Sequence, residues 1–199
     1  VAFGACCFPD GSCAELTNGD CAASNGFFQG EGTSCTPNEC PQPCGGCDVT
    51  TGGFCTTFGD DVAGDLGLWT NSTDDNHDWT LNQGGTVSGS TGPSGDHTTG
   101  NGFYVYFETS SPVAAGEVTI LDGPCVDLST LADPELTFWY HMYGSGMGTL
   151  EFQVSNDDCL TWDTLFSLGC DQGDAWLLAQ ISLAAYAGET IQTRFVGIA

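Results

Sequence analysis

The stretch 136–162 constrains the fold of this chain most strongly, because its side chains alternate with a period of two residues. That period is typical of a β-strand, in which successive side chains point to opposite faces of a sheet. One side of the alternation consists of Leu136, Phe138, Tyr140 and Met142, and the other of Thr137, Trp139, His141 and Tyr143. Both sets contain large aromatic residues, so the pattern predicts a central strand that is covered on both faces.

Two more strands are predicted directly after this one. Glycines within 144–148 reverse the chain, and the residues of 150–154 then alternate between apolar and polar. A turn at 156–158 leads to a third strand over 160–168. Because the connections are short, the three strands are expected to form an antiparallel meander.

The rest of the sequence also favours strands. Apolar or alternating runs predict strands over 103–107, 118–121 and 190–199, and the 29 glycines among 199 residues indicate many turns and few helices. No apolar run approaches the roughly 20 residues that cross a bilayer, so membrane insertion is not expected. The predicted fold class is all-β: a two-sheet antiparallel sandwich with a small disulfide-rich domain before it.

Twelve cysteines are the second constraint. In a sequence that does not start with methionine, they predict an exported, oxidised protein whose signal peptide has been removed, and a cytoplasmic zinc protein is the weaker alternative. The segment 1–40 is too poor in apolar residues to build a core, so disulfides are expected to stabilise it. Its cysteines are Cys6, Cys7, Cys13, Cys21, Cys35 and Cys40. A bridge between neighbouring cysteines is strained, and sequence does not choose among the fifteen possible connectivities.

A Pro- and Gly-rich linker over 41–53 separates this domain from the predicted sandwich over 54–199. Cys44 and Cys47 within the linker have the spacing of a redox motif. No βαβ pattern surrounds them, so a local structural disulfide is the better interpretation.

The last cysteines are expected to tie the sandwich together. Cys159 and Cys170 flank the predicted strand 160–168, and an extended strand of that length holds them too far apart to bond each other. We therefore predict that one of them pairs with Cys55 and the other with Cys125.

Charge excludes several partners. The chain carries 26 acidic residues against one basic residue, Arg194, which gives a net charge of −25. Such a chain repels phosphate backbones and anionic lipids, so binding to nucleic acid and to membrane surfaces is disfavoured. The acidic surface is either simply solvated or partly neutralised by Ca²⁺, which prefers carboxylate oxygens.

Three runs of the sequence, in the order in which they occur, resemble the MAM domain, an extracellular adhesion module, and particularly its bacterial versions. They are LGLWTNSTDDNHDWTLNQGGTVSGSTGPSGDHT, FWYHMYGSGMGTLEFQVS and CDQGDAWLLAQISLAAYAGETIQTRFVGIA. The resemblance covers roughly 54–199 and implies a jelly-roll sandwich that binds partners and performs no chemistry. The segment that begins Gly-Ala-Cys-Cys at Gly4 resembles a short cysteine-rich repeat of secreted bacterial proteins.

The resemblance also implies a cation site. MAM sequences have a Phe-Glu pair near the cation, and here Phe58 is followed by Gly59, so Asp60 or Asp61 is expected to replace the glutamate. Asp96 lies in a run similar to the family's Asp-His-Thr motif and is the first-choice ligand. The expected ion is Ca²⁺.

The end of the sequence bears on assembly. Bacterial MAM domains continue past the strand 190–199 into one more, aspartate-rich strand, which is missing here. A sandwich without that strand would expose backbone groups to another chain. Val1, Ala2 and Phe3 form a short apolar segment outside any cysteine loop. We expect this segment of a neighbouring copy to fill the vacancy and build a fibre, and the alternative is that the chain is a processed portion of a longer polypeptide.

We therefore predict a non-enzymatic extracellular or cell-surface adhesion protein that forms a homo-oligomer or fibre, with surface proteins or glycans as further partners. The alternative is a carbohydrate-binding module of a secreted hydrolase. Its sugar platforms would be Trp139, Trp162, Trp176 and Tyr143, although the alternation places most of them in the core. Enzyme activity is not expected, because His97 lacks the other parts of a catalytic triad and because 26 acidic residues yield carboxylate pairs by chance.

Overall fold

The computed structural model of the chain describes residues 2–8, 12–24, 26–36, 50–51, 58 and 66–199. The chain divides into two compact units. The first comprises Val1–Asp48 with Ser155–Trp162, and the second comprises Val49–Val154 with Asp163–Ala199.

The first unit contains a small antiparallel sheet and one short helix. Its elements are β1 (Gly4–Cys7), β2 (Cys13–Leu16), α1 (Asn18–Ala23) and β3 (Phe27–Phe28). β1 lies in the middle and pairs with β2 and with β3. The hydroxyl of Thr17 accepts a hydrogen bond from the backbone N–H of Asp20, which begins the helix with a standard N-cap.

Disulfides take the place of a core in this unit. Cys6 bonds Cys21, and Cys13 bonds Cys35. Cys6 and Cys21 are completely buried, whereas Phe27 and other large apolar side chains of the unit remain exposed. The prediction that disulfides stabilise this segment is confirmed for these two bridges.

The second unit is built of strands. They are β4 (Thr50–Thr51), β5 (Thr70–Asn71), β6 (Thr80–Gln83), β7 (Phe103–Tyr106), β8 (Val118–Asp122), β9 (Val126–Asp127), β10 (Glu135–Tyr140), β11 (Thr149–Ser155), β12 (Asp163–Gly169), β13 (Leu177–Ser182) and β14 (Thr190–Ile198). A single 3-10 turn, Ala184–Tyr186, is the only helical element among the described residues of this unit. The predicted strands over 103–107, 118–121 and 190–199 are confirmed as β7, β8 and β14.

These strands form two layers. One layer is a sheet in the order β12-β11-β14-β8-β5, to which β9 and β4 are added beside β14. The other layer consists of two separate antiparallel pairs, β6 with β7 and β10 with β13. The predicted two-sheet jelly-roll sandwich with a disulfide-rich N-terminal region is therefore confirmed.

Aromatic side chains hold the layers together. Phe138 on β10 contacts Phe195 on β14 edge-on, with ring centroids 4.8 Å apart, and Phe166 on β12 at 5.3 Å. Phe152 on β11 is completely buried and lies 5.1 Å from Phe195. Leu128, Val154 and Ile191 extend the same core. The inward-facing side chains of 136–140 thus pack towards the core, as predicted.

The neighbours of β10 differ from the prediction. The alternation predicts a central strand in a meander with β11, but β10 pairs with β13 alone among the described residues, and β11 lies in the opposite layer. The outward side chains of β10, including Trp139, are exposed rather than covered. Periodicity reports which way a side chain points, and it carries no information about which strand lies alongside.

The third predicted strand also begins later than expected, at Asp163. Asp157 holds residues 156–162 in a turn, because its carboxylate accepts hydrogen bonds from the backbone N–H and the hydroxyl of Thr161 at 2.9 and 2.6 Å. Asp158 and Cys159 adopt left-handed backbone angles, with φ of 58° and 64°. Local capping by an aspartate therefore overrides the apolar pattern of 160–162.

The other predicted disulfides have mixed outcomes. Cys7, Cys125 and Cys159 are disulfide-bonded, and Cys159 does not bond Cys170, as predicted. Cys170 itself is an exposed free thiol, so its predicted pairing is wrong. The reason is its position: it follows the outermost strand of the sheet, β12, on a surface turn. The predicted bridging cysteines Cys40, Cys44, Cys47 and Cys55 lie outside the described residues, as does most of the predicted linker.

Helices in the part of the chain that the structure describes are all too short to cross a bilayer.

Replacing Phe152 with alanine tests the packing between the layers. Because Phe152 is completely buried against Phe195, the substitution should lower the free energy of unfolding by about 3–5 kcal/mol. Urea titration monitored by tryptophan fluorescence measures the change. The matched control is Val87→Ala, which truncates a side chain that is 79 % exposed and should change stability by less than about 0.5 kcal/mol. Equal effects of the two substitutions would contradict this description of the core.

Candidate functional site

A cavity of about 410 Å³ lies within the second unit and is bordered by β7 and β10. Its lining includes every residue of 104–106 on β7 and of 138–140 on β10, and it continues past the ends of these strands and along 145–150. Neighbouring side chains of a strand point to opposite faces, so a cavity lined by every residue of a run lies along the edge of that strand. We name this cavity, between the facing edges of β7 and β10, the slot.

The two edges that border the slot are unpaired in the described part of the chain. β7 pairs only with β6, and β10 pairs only with β13. Each strand therefore presents a row of backbone N–H and C=O groups to the slot, which is the arrangement that accepts an additional strand. One strand inserted there would join the two pairs into a single sheet of five strands.

The interior of the slot is apolar and almost uncharged. Leu121 and Phe195 line it on the side of the core, together with Met142 and Met147, the two methionines of the chain. Glu108 is the only carboxylate among the described lining residues. Methionine side chains adapt to irregular partners, so this lining suits an apolar segment.

Glu108 is already satisfied by its neighbours. Partial burial opposes its ionisation, but hydrogen bonds from the hydroxyl and the backbone N–H of Ser110, and from Ser88, lower its pKa below the usual value. These hydrogen bonds hold the carboxylate of Glu108 in place where it lines the slot.

Two buried ring nitrogens at the slot have no hydrogen-bond partner among the described residues: Nε1 of Trp79 and Nδ1 of His141. Both residues line the slot. Burial lowers the pKa of His141, although Asp174 opposes the shift, so the imidazole is neutral at pH 7. Its Nε2 lies 3.2 Å from the carboxylate of Asp174, which can only accept. Nε2 therefore carries the proton, and Nδ1 is an unsatisfied acceptor.

Both nitrogens are inaccessible to solvent, so neither is open to an occupant of the slot. The indole N–H of Trp79 needs an acceptor, and Nδ1 of His141 needs a donor. An unpaired polar group in an apolar environment costs free energy of roughly 1–3 kcal/mol. This cost belongs to the packing of the two rings and does not identify an occupant of the slot.

A rigid loop over 95–102 leads into β7. Oδ2 of Asp96 accepts hydrogen bonds from the backbone N–H groups of Thr98 and Thr99, at 2.9 and 2.8 Å. Oδ1 accepts from the hydroxyl of Thr99 and from the N–H of Gly102, at 2.8 and 2.5 Å. Burial opposes ionisation, but these hydrogen bonds outweigh it and lower the pKa of Asp96 from 3.8 to about 2. A Cβ at Gly102 would lie 3.0 Å from Cγ of Asp96, so a side chain at this position would crowd the carboxylate.

This loop places His97 on Trp139. The two rings stack with their centroids 3.6 Å apart and their planes 14° from parallel. Trp176 meets the edge of His97 and donates its indole N–H to the carbonyl of Gly95 at 3.1 Å. His97 therefore has a stacking role, and the sequence did not predict this contact between residues that are far apart in the chain.

Of the residues predicted to bind calcium, only Asp96 lies among the described residues. Asp60 and Asp61 lie outside the described residues. All four lone-pair positions of the Asp96 carboxylate are used by its own loop, so a cation would have to replace one of those donors. Within the described residues no cluster of three or more metal-binding side chains is found, and calcium binding by Asp96 stays a prediction.

The predicted assembly segment precedes β1. Ala2 and Phe3 are exposed, with Phe3 56 % accessible, and the carbonyl of Phe3 accepts a hydrogen bond from Gly32. Val1 lies outside the described residues.

Replacing Asp96 with asparagine tests the loop. Because the folded-state pKa lies below 3.8, the carboxylate contributes stability above that pH, and the contribution is lost as the pH falls to about 2. Asp96→Asn should therefore lower the thermal midpoint at pH 7, and the difference from wild type should shrink towards pH 2. The control Asp133→Asn removes the same charge from an exposed loop position and should have little effect at either pH. A difference that is independent of pH would contradict the assigned role.

Comparison with known proteins identifies the fold family. The sequence profile of the MAM domain (meprin/A5/mu) matches residues 55–199. The chain is 37 % identical over 105 residues to thyroid hormone-induced protein B of Xenopus laevis, covering 52 % of this chain and 15 % of that protein. It is 37 % identical over 103 residues to MAM domain-containing protein 2 of Homo sapiens, covering 52 % and 15 %. It is also 32 % identical over 161 residues to MAM domain-containing glycosylphosphatidylinositol anchor protein 2 of Mus musculus, covering 74 % and 16 %.

The chain thus spans about one sixth of the length of these relatives. A solved structure, the K1 cleaved adhesin domain of Lys-gingipain from Porphyromonas gingivalis W83, aligns with a TM-score of 0.42 at 19 % identity and covers 66 % of this chain and 80 % of that one. The profile match spans well over half of the sequence, and the chain belongs to the MAM domain family.

Proposed function

We propose that this chain is a non-enzymatic, extracellular adhesion protein whose copies assemble by strand donation, each copy inserting a segment into the slot of the next. The observation that carries the proposal is the pair of unpaired strand edges, β7 and β10, on either side of one apolar cavity. A strand added to an exposed sheet edge gains main-chain hydrogen bonds, and its alternate side chains fill pockets.

The unsatisfied groups at the slot favour a polypeptide as the occupant. An inserted strand can pair with both edges at once, so it satisfies more backbone groups than addition to a single edge. A purely apolar small molecule would leave all of these groups without partners.

Charge favours contact through the slot when the occupant is another copy. Two chains of net charge −25 repel each other, so a contact between them is least unfavourable where few carboxylates are present. The slot has one described carboxylate, and the first nine residues of the sequence have no charged side chain. We therefore assign the inserted segment to Val1, Ala2 and Phe3 of the neighbouring copy, with the side chain of Phe3 in the apolar part of the slot.

Family membership and disulfides support the extracellular, adhesive part of the proposal. One relative is named as a glycosylphosphatidylinositol anchor protein. Disulfides such as Cys6–Cys21 and Cys13–Cys35 persist in oxidising compartments. The bacterial character of the chain and the cysteine-rich repeat at its start stay predictions from sequence.

Replacing Phe3 with aspartate should prevent assembly. Wild type should form oligomers that grow with concentration and appear as filaments by negative-stain electron microscopy. Phe3→Asp would bury an unpaired carboxylate in the slot, so the concentration needed for assembly should rise by about a hundredfold or more. Size-exclusion chromatography with light scattering over a concentration series measures the difference.

Phe27→Asp is the matched control for this experiment. Phe27 lies in the same unit, is 52 % exposed, and receives the same charge. This variant should assemble as wild type does. A wild-type chain that stays monomeric at every concentration would contradict the proposal, and so would a Phe3→Asp chain that assembles normally.

The calcium site stays a prediction, with Asp96 as the first-choice ligand and Asp60 or Asp61 beside it. We expect the thermal midpoint of wild type to rise when calcium replaces a chelator, because binding to the folded state stabilises it. The Asp60→Asn, Asp61→Asn double variant should lose that rise. Identical midpoints of wild type in calcium and in chelator would exclude the site.

A further inference from the structure

Beyond strand donation, we infer that the outer face of the β10–β13 pair is a binding platform for neutral carbohydrate. The platform is centred on Trp139 and Leu178, which face each other across the two strands and are each 45 % exposed. His97 lies stacked on the indole of Trp139. We name Trp139, Leu178 and His97 the aromatic ledge.

The ledge is held in place by groups other than its own side chains. The loop 95–102 is fixed by the four hydrogen bonds to Asp96 and by the bond from Trp176 to Gly95. A Cβ at Gly95 would lie 2.2 Å from the carbonyl oxygen of Gly100, so the loop is tightly closed at its base. An exposed aromatic surface that is already ordered loses little conformational entropy when it binds.

Polar but uncharged side chains continue the platform along the same strands. Thr137 is opposite Gln180, and Glu135 is opposite Ser182, with all four side chains exposed. Among the outward side chains of these two strands only Glu135, at the far end, is charged. The carboxylate of Asp174 lies at the other end, 3.2 Å from Nε2 of His141. The outward side chains between these two ends are uncharged.

Neutral sugars match this chemistry. A pyranose ring presents an apolar C–H face that packs on an indole ring, and its hydroxyl groups exchange hydrogen bonds with hydroxyl and amide side chains. Thr137, Gln180 and Ser182 supply such groups next to the aromatic ledge. Sulfated or uronic-acid glycans carry negative charge and are repelled by the net charge of −25. The inferred ligand class is thus a neutral oligosaccharide, which gives the adhesion protein a glycan partner.

The test uses the full chain on an array of immobilised neutral glucan, mannan and chitin oligosaccharides, with heparin and alginate on the same array. We expect retention by one or more neutral glycans and none by the anionic ones. Calorimetric titration with the retained oligosaccharide should then show affinity lowered by about tenfold in Trp139→Ala, since loss of a stacking contact and its buried area costs roughly 1.4 kcal/mol. Gln180→Ala should lower it several-fold.

Two controls test whether a loss of binding is specific to the platform. Val87→Ala truncates another exposed apolar residue and should bind as wild type does. Because Trp139 also borders the slot, each variant is also tested for assembly. Gln180 lies on β13, which does not border the slot, so Gln180→Ala should assemble normally. The inference is overturned if no neutral glycan is retained, if the anionic glycans are retained equally, or if Trp139→Ala and Gln180→Ala bind the oligosaccharide as wild type does. These outcomes are independent of whether strand donation occurs.

Discussion

The packing of Phe138 against Phe152, Phe166 and Phe195 is the contact on which the rest of the sandwich depends. β10 has hydrogen bonds to only one neighbouring strand among the described residues, β13, so backbone pairing alone does not fix its position. The aromatic contacts, at centroid distances of 4.8 to 6.2 Å, hold it over the opposite sheet. Among the described strands β10 has no second neighbour, and the slot lies beside its unpaired edge.

Much of this architecture could be predicted from the sequence, because alternation reports side-chain direction. The strands β7, β8, β11 and β14 and the inward face of β10 follow the pattern of apolar residues. The pairing of β10 could not be predicted in this way. Strand order depends on contacts between distant segments, and the adjacency of two strands in sequence indicates only a tendency to pair.

The functional residues were less predictable, for identifiable physical reasons. Asp96 was predicted as a calcium ligand from the family resemblance, and its carboxylate accepts hydrogen bonds from backbone groups and a hydroxyl of its own loop. No sequence pattern distinguishes such a capped loop from a metal site. Trp139 is exposed because β13 lies beside it and nothing described covers the outer face. Its contact with His97 joins residues that are 42 positions apart. The unsatisfied nitrogens of Trp79 and His141 become recognisable only when burial is known.

The excess of negative charge restricts where this chain can contact a partner. With one cation in the whole chain, Arg194, most carboxylates have no opposite charge to pair with. Asp122 shows the consequence, since burial raises its pKa even though Arg194 lies nearby and opposes the shift. Contacts with partners are therefore expected where carboxylates are scarce. The slot is such a place, and we propose that it accepts a strand, while the outer face of β10–β13 presents an aromatic surface with few carboxylates.

Hydrogen–deuterium exchange of the backbone amides of β7 and β10, compared between dispersed and assembled protein, tests the central claim most directly. Strand insertion forms new hydrogen bonds along both edges of the slot, so amides within 103–107 and 138–142 should exchange much more slowly in the assembled state, while those of the β11–β12 pair should be unchanged. Equal exchange in both states, or edges that are already fully protected in the dispersed chain, would contradict the account.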